Sequence, residues 1–277
     1  MIAGQTFTVL GASGYVGGAV VSQLERAGAR TLALGRSDPP PENRDLGHVI
    51  DCAGVTSDFR ARPLDTIEAH VCRTAELLRR MRFASLLYLS TTRVYAYAGA
   101  GHEDAALQAR PTDPDALLGL SKLAGEAACL AMERSTIRVA RLATVYGGTF
   151  ASPNFLCSLL AQMTGRSAIE LGADPATARD YVHVDDVVEA LARIALAGTR
   201  RVYNVASGAA VRNDALVAGL AAHTGCRVQW KPADPVAHIP PISIDRLRAE
   251  LGVTPRSLLH TLGAVVNEYR RALAGDP

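Results

Sequence analysis

Three glycines at three-residue spacing, Gly11, Gly14 and Gly17, stand in the segment Thr8-Val9-Leu10-Gly11-Ala12-Ser13-Gly14-Tyr15-Val16-Gly17. They follow a β-rich apolar run and open a helical pattern, a placement that suits a dinucleotide pyrophosphate. Gly11 permits the tight turn, Gly14 lets the backbone approach the phosphates, and Gly17 lets the helix lie close on the strand. The unpaired N–H groups of the helix N-terminus then face the anion. Ser13, Tyr15 and Val16 belong to the same cofactor-binding turn. A glycine triplet alone is a weak signal, and the strand-turn-helix context is what gives it weight. At the end of the second strand an acidic residue would hold an adenosine 2′-hydroxyl, whereas an arginine suits a 2′-phosphate. Gly35-Arg36-Ser37 therefore favours NADP over NAD, the alternative for Arg36 being a solvated charge at a strand end.

The elements that must position this turn follow from hydrophobic periodicity. Short β-rich runs at Thr6–Leu10, Arg30–Leu34, His48–Ala53, Ser85–Ser90 and Thr136–Thr144 alternate with helical patterns. The first helix spans Gly14 to Ala27, with Val16, Val20 and Leu24 at four-residue spacing and Gly28 as a left-handed stop. Others run from Pro63 or Asp65 to Arg82 and from Ala116 to Glu133. Such alternation predicts an α/β fold, a Rossmann-type parallel sheet flanked by helices. After Tyr146-Gly147-Gly148 the alternation breaks down, and a smaller α/β C-terminal substrate lobe is expected. We place the dinucleotide-binding domain at residues 1–150, with 178–205 returning to it, and the substrate lobe at 151–177 and 206–277. Pro39–Pro41 and Pro232–Pro241 read as connectors.

Composition narrows the function. The chain has 277 residues, 48% of them hydrophobic, enough for a full-sized core. Lys plus Arg exceed Asp plus Glu by 29 − 27 = 2, and no run of like charge occurs, which argues against a nucleic-acid partner. No apolar stretch approaches the roughly 20 residues of a membrane helix, and Met1-Ile2-Ala3-Gly4-Gln5 leads into a strand without a leader pattern. A cytoplasmic protein with no membrane partner is expected. Cys52, Cys72, Cys129, Cys157 and Cys226 are odd in number and distant from one another, so they read as reduced core residues rather than a disulfide framework or metal site.

Taken in order along the chain, the glycine turn, Val49-Ile50-Asp51-Cys52-Ala53-Gly54, Leu89-Ser90-Thr91-Thr92-Arg93-Val94-Tyr95, Ser121-Lys122-Leu123-Ala124-Gly125-Glu126, Arg141 to Gly147 and Arg179-Asp180-Tyr181-Val182-His183-Val184-Asp185-Asp186 resemble the extended short-chain dehydrogenase/reductases. More narrowly, they are similar to the NAD-dependent epimerase/dehydratase group that acts on nucleotide sugars, and the resemblance covers nearly the whole chain. It implies a catalytic Ser or Thr and a Tyr-x-x-x-Lys pair one helical turn apart, the lysine holding the nicotinamide ribose and lowering the phenol pKa. Thr91 matches the hydroxyl position and Lys122 the lysine, while Ala53 matches a cofactor-facing position. Four residues before Lys122, however, stands Leu118, which can neither ionise nor donate a proton.

Further departures gather nearby. Thr92 stands where dehydratases carry an acid, Thr144 where an asparagine is expected, and His70 where the helix beside the lysine would carry another asparagine. The segment Ser37 to Gly47 is short and offers no counterpart to the family's adenine-contacting aspartate. For the substrate, the resemblance places Thr92, Thr144, Asn154 and Arg179 around a nucleotide sugar, with Arg179 and Asn154 on the diphosphate. A guanidinium fork suits phosphate. Arg179 has a second reading, a brace between lobes through Asp180, Asp185 or Asp186. Two functions follow: an NAD(P)-dependent epimerase, dehydratase or ketoreductase with an atypical site, or a re-tasked or retired member that binds or regulates. Tyr95 and Tyr146 read as packing residues, His102 as solvated, and Tyr97 as unassigned. A homodimer through the helices at Thr66–Arg82 and Ala116–Glu133 is also implied.

Overall fold

The computed structural model describes residues 2–35, 38, 41, 44–113, 115–233 and 237–274. Strand β1 (Thr6–Leu10) alternates its side chains between faces, Phe7 and Val9 joining one core cluster and Leu10 another. It pairs in parallel with β2 (Arg30–Leu34) on one side and β3 (His48–Asp51) on the other. The remaining strands, β4 (Ser85–Thr91), β5 (Ile137–Leu142) and β9 (Val202–Val205), extend the sheet in the order β2-β1-β3-β4-β5-β9. The chain thus changes direction across the sheet at β1 and β3, where parallel sheets open a ligand crevice beyond their C-terminal ends.

Helices cover both faces. On one side lie α1 (Tyr15–Arg26), which buries Gly17, Val20 and Leu24, and α6 (Val184–Ala197), with Val187, Val188 and Leu191 inward. On the other lie α3 (Arg73–Arg80) and α4 (Ala116–Ala131). The second helix expected from sequence is one continuous rod interrupted in its middle. A short α2 (Pro63–Ile67) runs into a π-helical turn over Glu68–Cys72 before α3 begins. α4 buries Leu118, Ser121, Lys122, Gly125, Glu126 and Cys129, the three- and four-residue spacing of one face. Glu126 anchors that face to the sheet through a buried ion pair with Arg141 of β5, 2.7 Å between Oε2 and Nη2. Losing one partner of such a pair costs about 3–5 kcal/mol.

Past Leu142 the chain departs from the predicted Thr136–Thr144 strand. Ala143 gives its N–H to Val205 O, and the backbone then leaves the main sheet to form β6 (Thr144–Tyr146). β6 pairs with β8 (Ala178–His183), which pairs with β10 (Ala210–Arg212), a separate three-stranded sheet. The third strand likewise stops at Asp51 rather than Ala53, since the Ala53 N–H turns back to the Asp51 carboxylate. A second core fills the lobe, where α5 (Phe155–Met163), α7 (Asn213–Thr224) and α9 (Leu258–Ala274) bring together Leu156, Leu160, Leu220, Leu262 and Val266. Two parallel strands, β7 (Ala168–Gly172) and β11 (Arg227–Lys231), close it. Ile242 to Val253, including α8 (Asp245–Leu251), pack with the main core and not with the lobe. Between β2 and β3 the described residues contain no helix or strand, only an isolated bridge from Asp45 to Arg82. Among the cysteines, Cys72 is exposed and departs from the expected core placement, while Cys129, Cys157 and Cys226 are buried thiols.

Candidate functional site

Between the C-terminal ends of the main strands and the lobe lies a cleft of about 720 Å³. Gly14 to Gly17 form one end, Ala53 and Gly54 one wall, Thr91 to Val94 and Lys122 the floor, and Asn154 and Arg179 the lobe side. Gly11 turns the chain with φ +72°, and a Cβ there would lie 2.8 Å from the Ala53 nitrogen, so the turn that follows β3 passes too close for any side chain. At Gly17 a Cβ would fall 2.2 Å from Gly11 O, so only glycine lets α1 dock on the turn. No side chain caps α1 and its first turn carries no acid, which leaves its N-terminal N–H groups and dipole directed at the cleft. These backbone features fit a dinucleotide pyrophosphate. Arg36, the residue invoked for NADP, lies outside the described residues, as do Pro39, Pro40 and Asp234 to Val236 of the expected connectors.

Lys122 is almost fully buried, its Nζ donating to Leu89 O at 2.7 Å and standing 4.8 Å from the centre of the Tyr88 ring. Burial pushes its pKa down to about 8, against the pull of the buried Asp51 carboxylate. Asp51 is itself pushed up by burial, with Lys122 opposing. Lys122 and Thr91 both line the cleft, the ammonium being tied to β4 two residues before the threonine. The Thr91 hydroxyl oxygen accepts the Arg93 N–H at 3.2 Å, which leaves its proton free to donate into the cleft. Thr92 is buried and Thr144 half-buried, both on the cleft wall.

Leu118 lies one helical turn before Lys122, and its surroundings match a leucine. It is 3% exposed and packs in a small apolar cluster with Val55 and Phe59. Behind it, His70 lies fully buried in the π-helical turn, a type of irregularity frequent at functional sites. Its Nε2 accepts the Val55 N–H at 3.1 Å, so Nδ1 carries the proton and donates to Ser121 Oγ at 2.8 Å. Burial first, then Lys122, drives the His70 pKa down to about 3. The residue is therefore a neutral strut.

The lobe-side residues divide. Asn154 caps α5, accepting the Cys157 N–H at 2.9 Å, and its amide donates to Val145 O at 2.7 Å. Arg179 donates to Asn213 Oδ1 at 3.0 Å and lies over the Phe155 ring, with no salt bridge to the three acids named for it above. Those acids are engaged elsewhere. Asp180 takes the N–H groups of Ser207 and Gly208, and Asp186 takes the Arg256 guanidinium at 2.8 Å. Arg256, which the sequence reading did not single out, provides the brace, leaving the Arg179 fork on the cleft. Tyr95 and Tyr146 are buried, and His102 is exposed. Tyr97 lines the cleft with φ +69°, its hydroxyl donating to Asp113 and the Arg110 guanidinium stacked on its ring. Neither it nor Tyr15, which donates to Gly147 O at 2.6 Å, offers a base, since the pKa of each is pushed up. Arg60, Phe59 and Arg93 also line the cleft and had no assigned role. The signal for Arg93 was its place two residues after Thr91.

With this geometry in hand, comparison with known proteins is informative. Residues 7–206 match the model of the NAD dependent epimerase/dehydratase family, and the chain belongs to that family. It is 26% identical, over 97% of each chain, to a dTDP-4-dehydro-6-deoxy-D-allose reductase of a Streptomyces species. Among solved structures it resembles MoeE5 in complex with UDP-glucose and NAD, with TM-score 0.79, 26% identity and coverage of 97% of this chain and 99% of the other. RMD from Pseudomonas aeruginosa complexed with NADPH shares the fold, with TM-score 0.77, 24% identity and coverage of 96% and 99%. The chain is thus built as an NAD-dependent enzyme, and no helix among its described residues is long and apolar enough to cross a membrane.

Proposed function

We propose that the protein is an NAD(P)-dependent oxidoreductase of the epimerase, dehydratase or ketoreductase type, acting on a nucleotide sugar at a site that lacks the usual phenol. The observation that carries this reading is the single cleft that gathers the glycine turn, Thr91, Lys122 and an Arg179 free of carboxylate partners. The dTDP-linked sugar in the name of one relative and the UDP-glucose bound to MoeE5 support the substrate class. The nicotinamide, when bound, supplies hydride exchange at a sugar carbon.

The chain's own residues do the rest. Gly11, Ser13, Gly14, Tyr15, Val16, Gly17 and Ala53 hold the dinucleotide, with Arg36 favouring NADP. Lys122 holds the ribose, and Thr91 donates to the sugar oxygen being processed. Thr92, Thr144, Asn154 and Arg179 face the substrate. Proton transfer falls to Lys122 and Thr91, because Lys122 loses its proton near pH 8 while Leu118 has none to give. Residues 1–150 with 178–205 serve the dinucleotide, and residues 151–177 and 206–277 the substrate, apart from 242–253, which pack with the main core. Two copies pair through 66–82 and 116–133, beside the exposed Leu64 and Ile67.

The burial of Leu118 against Val55 and Phe59 favours a second reading, a re-tasked member that binds both ligands without redox turnover. One experiment separates the two. Calorimetry should show dinucleotide binding, and nicotinamide absorbance should change with UDP- or dTDP-hexoses if the first reading holds. Binding without turnover selects the second, and no dinucleotide binding at millimolar concentration defeats both. Arg179→Gln should weaken nucleoside-diphosphate binding by about 1.5–3 kcal/mol, the scale of a hydrogen bond to a charged group. Arg36→Asp should move preference toward NAD.

A further inference from the structure

Four arginines line the cleft: Arg60, Arg93, Arg110 and Arg179. Three have something to do. Arg60 pairs with Asp115, Arg110 lies over the Tyr97 ring, and Arg179 bonds Asn213 and stacks on Phe155. The Arg93 guanidinium, among the described residues, has no hydrogen bond, salt bridge or ring contact. Its backbone is held fast, since the Arg93 N–H donates to Thr91 Oγ1 at 3.2 Å in the short 3₁₀ turn Thr92–Tyr95. The side chain therefore starts one tight turn from the hydroxyl that meets the reacting sugar.

The side chain is exposed to the cleft. The positive charges of Arg179 and Arg60 act on it along with the Asp115 carboxylate, and its pKa is lowered. An open guanidinium without a partner, in the field of two others, is suited to an anion, and its planar fork matches a carboxylate. Two anions are available in principle, a sugar carboxylate and the diphosphate. The position of Arg93 beside Thr91 on the sheet side favours the first, since Arg179 already faces the diphosphate from the lobe.

We infer that Arg93 is a specificity-determining residue that binds an acidic substituent on the sugar, so that the substrate is a nucleotide-linked uronic acid or a similarly carboxylated sugar. This rests on the nucleotide-sugar reading above. It is tested by calorimetry on the dinucleotide-loaded protein with UDP, dTDP, UDP-glucose and UDP-glucuronic acid. Wild type should bind UDP-glucuronic acid on the order of tenfold tighter than UDP-glucose. Arg93→Gln should erase that difference while leaving UDP and UDP-glucose within about twofold of wild type. Arg93→Lys, which keeps the charge and loses the fork, should retain part of it. Thermal melting of each variant reports on folding. Equal wild-type affinity for the two sugars overturns the inference. So does a parallel loss of UDP affinity in Arg93→Gln, which would put Arg93 on the diphosphate. If neither UDP nor dTDP binds, the nucleotide-sugar reading itself falls, an outcome distinct from failure of Arg93 alone.

Discussion

At the glycine turn the surface offered to a ligand is backbone, and each constraint on it is steric: the turn after β3 crosses within 2.8 Å of where a Gly11 side chain would begin, and α1 closes to 2.2 Å at Gly17. Across the cleft, at α4, the corresponding surface is side chains, and a leucine stands one turn before the lysine without disturbing the helix. Leu118 packs on Val55 and Phe59 while Lys122, one turn on, keeps its bond to Leu89. A site made of backbone cannot lose its chemistry without losing the fold. A site made of side chains can, and on the reading proposed above this protein has kept the first while altering the second.

The largest effect that would break this contrast is at Gly14. Its φ of −82° accepts any L residue, so Gly14→Val should fold, with its Cβ 3.2 Å from Gly11 O and its branches in the pyrophosphate path. Dinucleotide affinity should fall by about 100-fold or more in calorimetry, the loss expected when a helix N-terminus is denied its anion. Retained affinity would mean that the turn is structural only. Next comes Leu118→Tyr. Restoring a positioned acid/base typically returns about 10²–10⁴-fold, yet here the hydroxyl would enter an apolar cluster and overpack it, at about 1–3 kcal/mol in stability. We expect a lower melting temperature and little or no gain in sugar-nucleotide oxidation. A large gain would show that the site lost one group and was otherwise untouched.

Smaller effects sharpen the same contrast. In the function proposed above the charged form of Lys122 serves the ribose, and its pKa of about 8 lies below that of a free lysine. Dinucleotide affinity should therefore weaken as pH rises through about 8, and Lys122→Met should be weaker throughout and flat across that range. His70 should give the smallest change. Held neutral down to about pH 3, it refuses a proton that the unfolded chain accepts below its ordinary pKa of 6.5. Its contribution makes the fold less stable as pH falls from about 6.5 toward 3, so in His70→Asn the melting temperature should decline less steeply over that interval. An unchanged slope would show that His70 titrates freely.

How much of this was legible in the residues follows from the same division. The β1–turn–α1 unit and the parallel sheet could be read because spacing and period dictate them, and Thr91, Lys122 and Arg179, singled out by the family resemblance, do line one cleft. Leu118 was visible as a substitution, but its partners were not, since Val55 and Phe59 come from a loop with no regular period. The break at Ala143 was hidden inside one strand-like run, where nothing in Val139 to Val145 marks a change of sheet. The π-helical turn at His70 follows from one extra residue accommodated in an otherwise helical pattern. Arg256 and Arg93 required knowing which carboxylates were already taken.

The three-stranded sheet of β6, β8 and β10 carries a last consequence, for modularity. Its strands are supplied by chain leaving the main sheet after β5, chain entering α6, and chain leaving β9, so the two cores share a hydrogen-bonded seam crossed three times. A lobe joined in this way is not a cassette that recombination can lift out. A chain cut after residue 150 would strip β5 of its neighbour β9 and β6 of its neighbour β8 in one stroke. Both cores should accordingly disappear in a single calorimetric transition, and new substrates must be acquired by changing side chains such as Arg93 within an undivided frame.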